Sequence, residues 1–362
     1  MSWLYHRLPR PAVTAVIATA ALALLAALAG LGVPAASAVS LPASAASAPV
    51  ATVPAAAPVA AAKRGTTVPA RERAALVSLY RGTGGAGWYH AKGWNTRRSV
   101  CTWYGVGCAG GHVTKVDLSY NGLSGVVPAA ISQLPELNNL GLSGNRLTAI
   151  PASLGSLAKL TRLYLDGNRL RAVPASLGSL SRLNRLDLSG NRLSAVPRSF
   201  ARLRQLTALY LDDNRLSGTV PAALGSMHAL VRLELTGNAF TAVPAALGSL
   251  HKLALLSLDS NKIVYLPGTL SGLTTLQYLD LSGNRLTSIT PALGTLRQLH
   301  ALYLDKNRLA GNISPWASGL VAHGSLTALS LGGNACLNAD AATGQWLTAL
   351  RSRWRSGCQT AA

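Results

Sequence analysis

Ten times between residues 113 and 336 the chain repeats the pattern LxxLxLxxNxL, with its asparagine at 121, 145, 168, 191, 214, 238, 261, 284, 307 and 334. The intervals are 24, 23, 23, 23, 24, 23, 23, 23 and 27 residues. A period of this length selects a solenoid of stacked coils over a domain folded around one enclosed core. The copy from Leu160 to Leu170 shows how one coil would be built. Leu163 and Leu165 are two apart, so in a strand both enter the core from the same face. Asn168 follows where the chain turns out of the strand, and its amide can satisfy backbone groups of the neighbouring coil that no ladder serves. Pro174 can open a short turn or 3₁₀ segment, after which Leu177 and Leu180 close the core from the convex side. Ten strands at roughly 4.8 Å spacing place a concave parallel sheet along an arc of about 45 Å.

The pattern resembles the leucine-rich repeat family over residues 113–336. That resemblance implies an α/β solenoid, a horseshoe of ten 23–24-residue coils with a concave parallel β-sheet. Open solenoid ends expose core and need caps. Residues 71–112 resemble the N-terminal cap of plant-type leucine-rich repeat ectodomains and of bacterial proteins that share it. The marks are Leu76, Leu79 and Tyr80 of an amphipathic start, the GGxGW turn at Gly84 to Trp88, Trp94, and the Cys-Trp-x-Gly-Val-x-Cys run from Cys101 to Cys108. The plant-type LxGxIP extension is only approximated, at Leu123 to Pro128 and Leu216 to Pro221, and most copies read NRLxAVP. Four cysteines allow three connectivities. The capped-ectodomain resemblance favours Cys101 with Cys108 at one end and Cys336 with Cys358 at the other, where residues 337–362 would close the solenoid with a helix-like stretch carrying Trp346, Leu347, Leu350 and Trp354. No transmembrane segment or kinase follows that cap, so the expectation is not a receptor kinase.

Ahead of the cap, Arg7 and Arg10 precede an uncharged stretch from Pro11 to Gly32 that closes on Ala36-Ser37-Ala38. These are the three regions of a secretory signal peptide over residues 1–38, and the alternative is a retained membrane anchor. Both readings export the body, to a secreted or periplasmic location. Residues 39–70 are Ala, Pro, Ser and Val with almost no large side chains, which predicts a linker that buries no core. The chain is 49% hydrophobic and 12% charged, with 33 Lys and Arg against 12 Asp and Glu. Cleavage after Ala38 removes two arginines and no acid, leaving 31 basic against 12 acidic side chains and a net charge of +19.

Function in such a fold is read from the residues that alternate with the core leucines. The positions four and two before each asparagine face the concave side, and eight of the 12 acids fall there. The first column runs Asp117, Gly141, Tyr164, Asp187, Tyr210, Glu234, Ser257, Asp280, Tyr303 and Ser330. The second runs Ser119, Ser143, Asp166, Ser189, Asp212, Thr236, Asp259, Ser282, Asp305 and Gly332. From the third coil to the ninth the acid alternates between columns, so the repeating unit is a pair of coils of about 46 residues. Six before the asparagine stand Lys115, Arg162, Arg185, Arg232 and Tyr278, and one after it a basic row, Arg146, Arg169, Arg192, Arg215, Lys262, Arg285 and Arg308. Such striping balances charge along a ladder whatever its function. It also offers aromatic contact area and directional acceptors to a ligand.

The candidate binding residues on this reading are Tyr164, Asp166, Asp187, Tyr210, Asp212, Glu234, Asp259, Tyr278, Asp280, Tyr303 and Asp305. The resemblance makes a protein or peptide the leading partner. The alternatives are adhesion to cell-wall or host glycan, or to a membrane surface, through the basic edge, and inhibition of an extracellular polysaccharide hydrolase. Basic clusters at Lys63-Arg64, Arg71 and Arg73, Arg97-Arg98, and Arg351, Arg353 and Arg355 suit loose adhesion to anionic surfaces. Nucleic acid is not expected, since the central acids would repel phosphates. The sequence carries no HExxH, GxSxG, P-loop or paired CxxC, and its seven histidines never recur at ligand spacing. Neither an enzyme nor a metal or other cofactor is expected.

Overall fold

The computed structural model describes residues 67–350. The expected signal segment, nearly all of the linker, the Arg351 cluster and Cys358 lie outside them. The chain opens with helix α1 (Ala70–Gly82), which begins one residue before the expected cap boundary. Strand β1 (Val106–Ala109) pairs antiparallel with β2 (His112–Asp117). The sheet continues in parallel through β3 (Asn139–Gly141), β4 (Arg162–Tyr164), β5 (Arg185–Asp187), β6 (Ala208–Tyr210), β7 (Arg232–Glu234), β8 (Leu255–Ser257), β9 (Tyr278–Asp280), β10 (Ala301–Tyr303) and β11 (Ala328–Ser330), eleven strands in all. Its order follows the sequence because every coil returns to the same side after one turn. The register is in phase, with Leu163 against Leu186, Leu186 against Leu209 and Leu233 against Leu256. These leucines are fully buried, and the core is a continuous column of them.

The asparagine ladder does what its position predicts. Asn168 Nδ2 donates to the Leu165 carbonyl at 3.0 Å and across the stack to the Leu142 carbonyl at 2.9 Å. Its Oδ1 accepts from the Leu147 amide of the preceding coil at 3.0 Å. The same set recurs at Asn191, Asn261, Asn284 and Asn307. On the convex side seven coils close with a short 3₁₀ turn directly after a proline, as at Ala175–Ser179 behind Pro174. The turns stack closely: a Cβ on Gly178 would lie 2.3 Å from the Ser199 carbonyl oxygen.

Helix α2 (Ser314–His323) fills the convex place of a 3₁₀ turn in the 27-residue interval. The repeat pattern did not announce it. Gly294 of the preceding turn and Gly319 of α2 admit the contact, each lying where a Cβ would strike the other segment's carbonyl at 2.5 Å. Helix α3 (Ala341–Ala349) follows, N-capped by Asp340, which accepts from the Thr343 amide at 2.8 Å.

The N-terminal cap is aromatic and stapled. Tyr80, Trp88, Trp94 and Trp103 pack ring against ring, and the indoles of Trp88 and Trp94 donate to the Thr83 and Tyr104 carbonyls. Cys101 and Cys108 are disulfide-bonded as expected. Cys336 is also disulfide-bonded, and its expected partner lies outside the described residues. A buried carboxylate ties the cap to the sheet: Glu72 on α1 accepts from His112 Nδ1 at 2.6 Å and from the Val113 amide at 2.8 Å.

Candidate functional site: the concave sheet face

Backbone register brings the first column together as a row. Tyr164, Asp187, Tyr210, Glu234, Ser257, Asp280 and Tyr303 are consecutive partners across β4 to β10. All eleven candidate residues stand on this face or on the turn that leaves it. They form an extended surface and not one pocket.

Hydrogen bonding explains why the acid alternates between columns. In the second column an acid accepts from the hydroxyl of the coil before it: Ser143 donates to Asp166, Ser189 to Asp212 at 3.3 Å, and Thr236 to Asp259 at 2.6 Å. Asp305 is served from the other side, by Ser330 and by the Gly332 amide at 3.1 Å. In the first column the acid instead accepts from the backbone two residues on, as Asp187 from the Ser189 amide at 3.1 Å and Asp280 from the Ser282 amide at 2.9 Å. Within each column an acid therefore alternates with Tyr, Ser or Thr from coil to coil, so that no two acids are direct cross-strand partners in the same column.

The arginines six residues before the asparagine read in sequence only as charge, and their role on the face emerges in three dimensions. Arg185 lies 4.4 Å from the centre of the Tyr210 ring and 5.7 Å from that of Tyr164. Arg232 lies 5.4 Å from the Tyr210 ring, and its Nε is paired with Glu234. Tyr210 is therefore held between two guanidinium groups, which fixes its ring without a deep pocket. Further along, the Tyr278 and Tyr303 rings are 5.4 Å apart, and the Tyr278 hydroxyl donates to Asp280 at 3.2 Å. The cue available in sequence was position: Arg185, Arg232 and Tyr278 occupy equivalent sites two residues before an acid.

This setting shifts three of the acids upward. Burial, then the Asp166 charge, raises the Asp187 carboxyl, against the pull of Ser189 and Arg185. Burial, then Glu234, pushes Asp212 up to about 8, opposed by the Thr236 amide. Burial raises Asp280, and Asp259 adds to it. Burial also raises the hydroxyls of Tyr210 and Tyr278. Neutral or hydrogen-bonded acids suit recognition by contact. Among the described residues no cluster of His, Cys, Asp and Glu could hold a metal ion, and no helix is long and apolar enough to cross a membrane.

Coil, ladder and caps together define a solenoid that presents a sheet face for contact. The chain belongs to the leucine-rich repeat family, whose profile matches residues 111–170, 159–216, 206–263 and 264–309. A leucine-rich repeat protein of Leptospira interrogans superposes with a TM-score of 0.59 at 30% identity, over 66% of this chain and 58% of that one. The Arabidopsis receptor kinase HAESA, solved in complex with the peptide hormone IDA and the co-receptor SERK1, superposes with a TM-score of 0.58 at 27% identity, over 74% of this chain and 50% of that one. In sequence, the receptor-like kinase TMK4 of Arabidopsis thaliana is 36% identical over 55 residues, 15% of this chain and 6% of the kinase. The chain thus spans about half of these solved relatives and a small part of TMK4.

Proposed function

We propose that this chain is an exported, non-enzymatic binding protein that holds a protein or peptide partner against the concave face between β4 and β10. The observation that carries the reading is the fixed Tyr164–Asp187–Tyr210–Glu234 row, in which arginine stacking across coils, the Ser189 amide on Asp187 and Arg232 on Glu234 hold contact groups in place before any ligand arrives. Pre-organised tyrosine lowers the ordering cost of binding, and carboxyl groups beside it give direction. The likeness to HAESA, solved with a peptide hormone and a co-receptor bound, supports the same class of partner. Export is supported by the sequence of residues 1–38 and by the disulfide at Cys101.

The test is capture from secreted and surface extracts by the immobilised full chain. The Tyr210→Ala/Asp212→Ala variant is expected to lose the partner, while a variant with Arg351, Arg353 and Arg355 changed to Gln keeps it. Loss in the second variant and retention in the first would instead make the chain an adhesive that works through its basic clusters.

A further inference from the structure

The tyrosine and acid pattern continues along the face after its arginines stop. Beside Asp187 stands Arg185 and beside Glu234 stands Arg232, but beside Asp280 stands Tyr278. The same column reads Leu255, Ala301 and Ala328 in the neighbouring strands, so β8 to β11 bring no cation to the face. Lys262, Arg285 and Lys306 are exposed residues of the turns beyond the strands.

Three carboxyl groups remain there, held by neutral donors. Asp259 accepts from Thr236 and from the Ser257 hydroxyl at 3.1 Å, Asp280 from Tyr278 and the Ser282 amide, and Asp305 from Ser330 and the Gly332 amide. Among the described residues no ion pair reaches any of them. Asp280 is buried, and its raised proton affinity reflects burial without a compensating cation.

We propose that Tyr278 and Tyr303, with Asp259, Asp280 and Asp305, form a subsite for an arginine side chain of a bound peptide, in the role that Arg185 and Arg232 fill within the chain itself. The inference rests on the concave face being a peptide-binding surface. The earlier coils supply the template: Arg232 lies over a tyrosine ring while its Nε pairs with a neighbouring carboxylate. A guanidinium can do both at once because it is planar and carries its donors in a fork, whereas an ammonium is a point charge. In a chain of net charge +21 the acids of this segment attract a cation locally, against the long-range repulsion of the whole molecule.

The experiment uses a fluorescent octapeptide of alternating Gly and Arg, and its counterpart with citrulline, a neutral isostere, in place of arginine. Binding to the full chain is read by anisotropy. The arginine peptide is expected to bind about tenfold more tightly than the citrulline peptide, the scale of one desolvated cation–π contact. Asp280→Asn and Tyr303→Leu should each remove most of that difference. Glu136→Gln, which deletes an acid paired with Lys159 away from this face, should leave it intact. Equal binding of the two peptides, or an equal loss in Glu136→Gln, overturns the inference. Should Asp280→Asn fail to fold by circular dichroism, Tyr303→Leu and the citrulline comparison still decide. An arginine-blind chain that captures a partner through Tyr210 and Asp212 refutes this subsite alone and leaves the concave-face reading standing.

Discussion

The Arg185 guanidinium stacks on the Tyr210 ring at 4.4 Å although the two residues belong to different coils. Tyr210 is 7% exposed, and Arg232 of the following coil also lies over its ring, at 5.4 Å. This stack joins the architecture of the solenoid to its contact surface, since the same side chains link coils and set the tyrosine. Arg185→Ala should lower stability by about 1 kcal/mol, the value of a partly buried cation–π contact. Arg169→Ala, at an exposed position, should stay within about 0.5 kcal/mol of wild type. Urea denaturation of both variants checks the pair.

The asparagine ladder should be less forgiving. Asn168→Ala removes the acceptor of the Leu147 amide and the donor to the Leu142 and Leu165 carbonyls. Leaving such buried backbone groups unserved costs about 1–3 kcal/mol each, so a loss of at least about 2 kcal/mol is expected. A urea midpoint that does not move would contradict the role given to the amide.

Stacking of the convex turns makes a similar claim about Gly178. Its Cβ would fall 2.3 Å from the Ser199 carbonyl, so Gly178→Ala must push adjacent coils apart. Overpacking of this kind costs about 1–3 kcal/mol. Gly87→Ala, where a Cβ meets nothing within 4 Å, should show no comparable loss. Thermal melts of the two variants separate a steric effect from the loss of a glycine as such.

Asp212 gives stability a pH dependence of defined sign. Its carboxyl goes from an ordinary value of 3.8 to about 8 in the folded chain, chiefly through burial and then through Glu234. A raised acid binds its proton more tightly when folded, so its contribution to stability is greatest below about pH 4 and declines as pH rises toward 8. Relative to Asp212→Asn, which has no proton to lose, the wild type should become progressively less stable between those limits and level off above them. Parallel stability profiles for the two proteins would refute the assignment.

Much of this was legible in the sequence because the repeat states its geometry ten times. The spacing of Leu163, Leu165 and Asn168 fixes strand, core side and turn, and the alternation of Tyr164, Asp187 and Tyr210 places them on one face. What stayed hidden depends on contacts that no period encodes. Glu72 and His112 meet across 40 residues because α1 packs beside β2. Helix α2 lies in the one interval whose length departs most from the repeat, where the pattern has no second copy to compare. The switch of acid between columns was visible, but its cause was not: Ser143 reaching Asp166 requires the coils to be in register. Arg185 could be counted as a basic residue from sequence alone, while its stack on Tyr210 required knowing which way the side chain runs.

The proposed recognition uses contact groups on the concave face, and not the basic surface. It is tested most directly by the affinity of a captured partner for wild type and for Tyr210→Ala/Asp212→Ala, measured at about 50 and 500 mM salt, where screening removes long-range attraction. Binding is expected to survive the higher salt in wild type and to weaken at least about tenfold in the variant at both concentrations. Binding that vanishes in high salt and is indifferent to the two substitutions would contradict it.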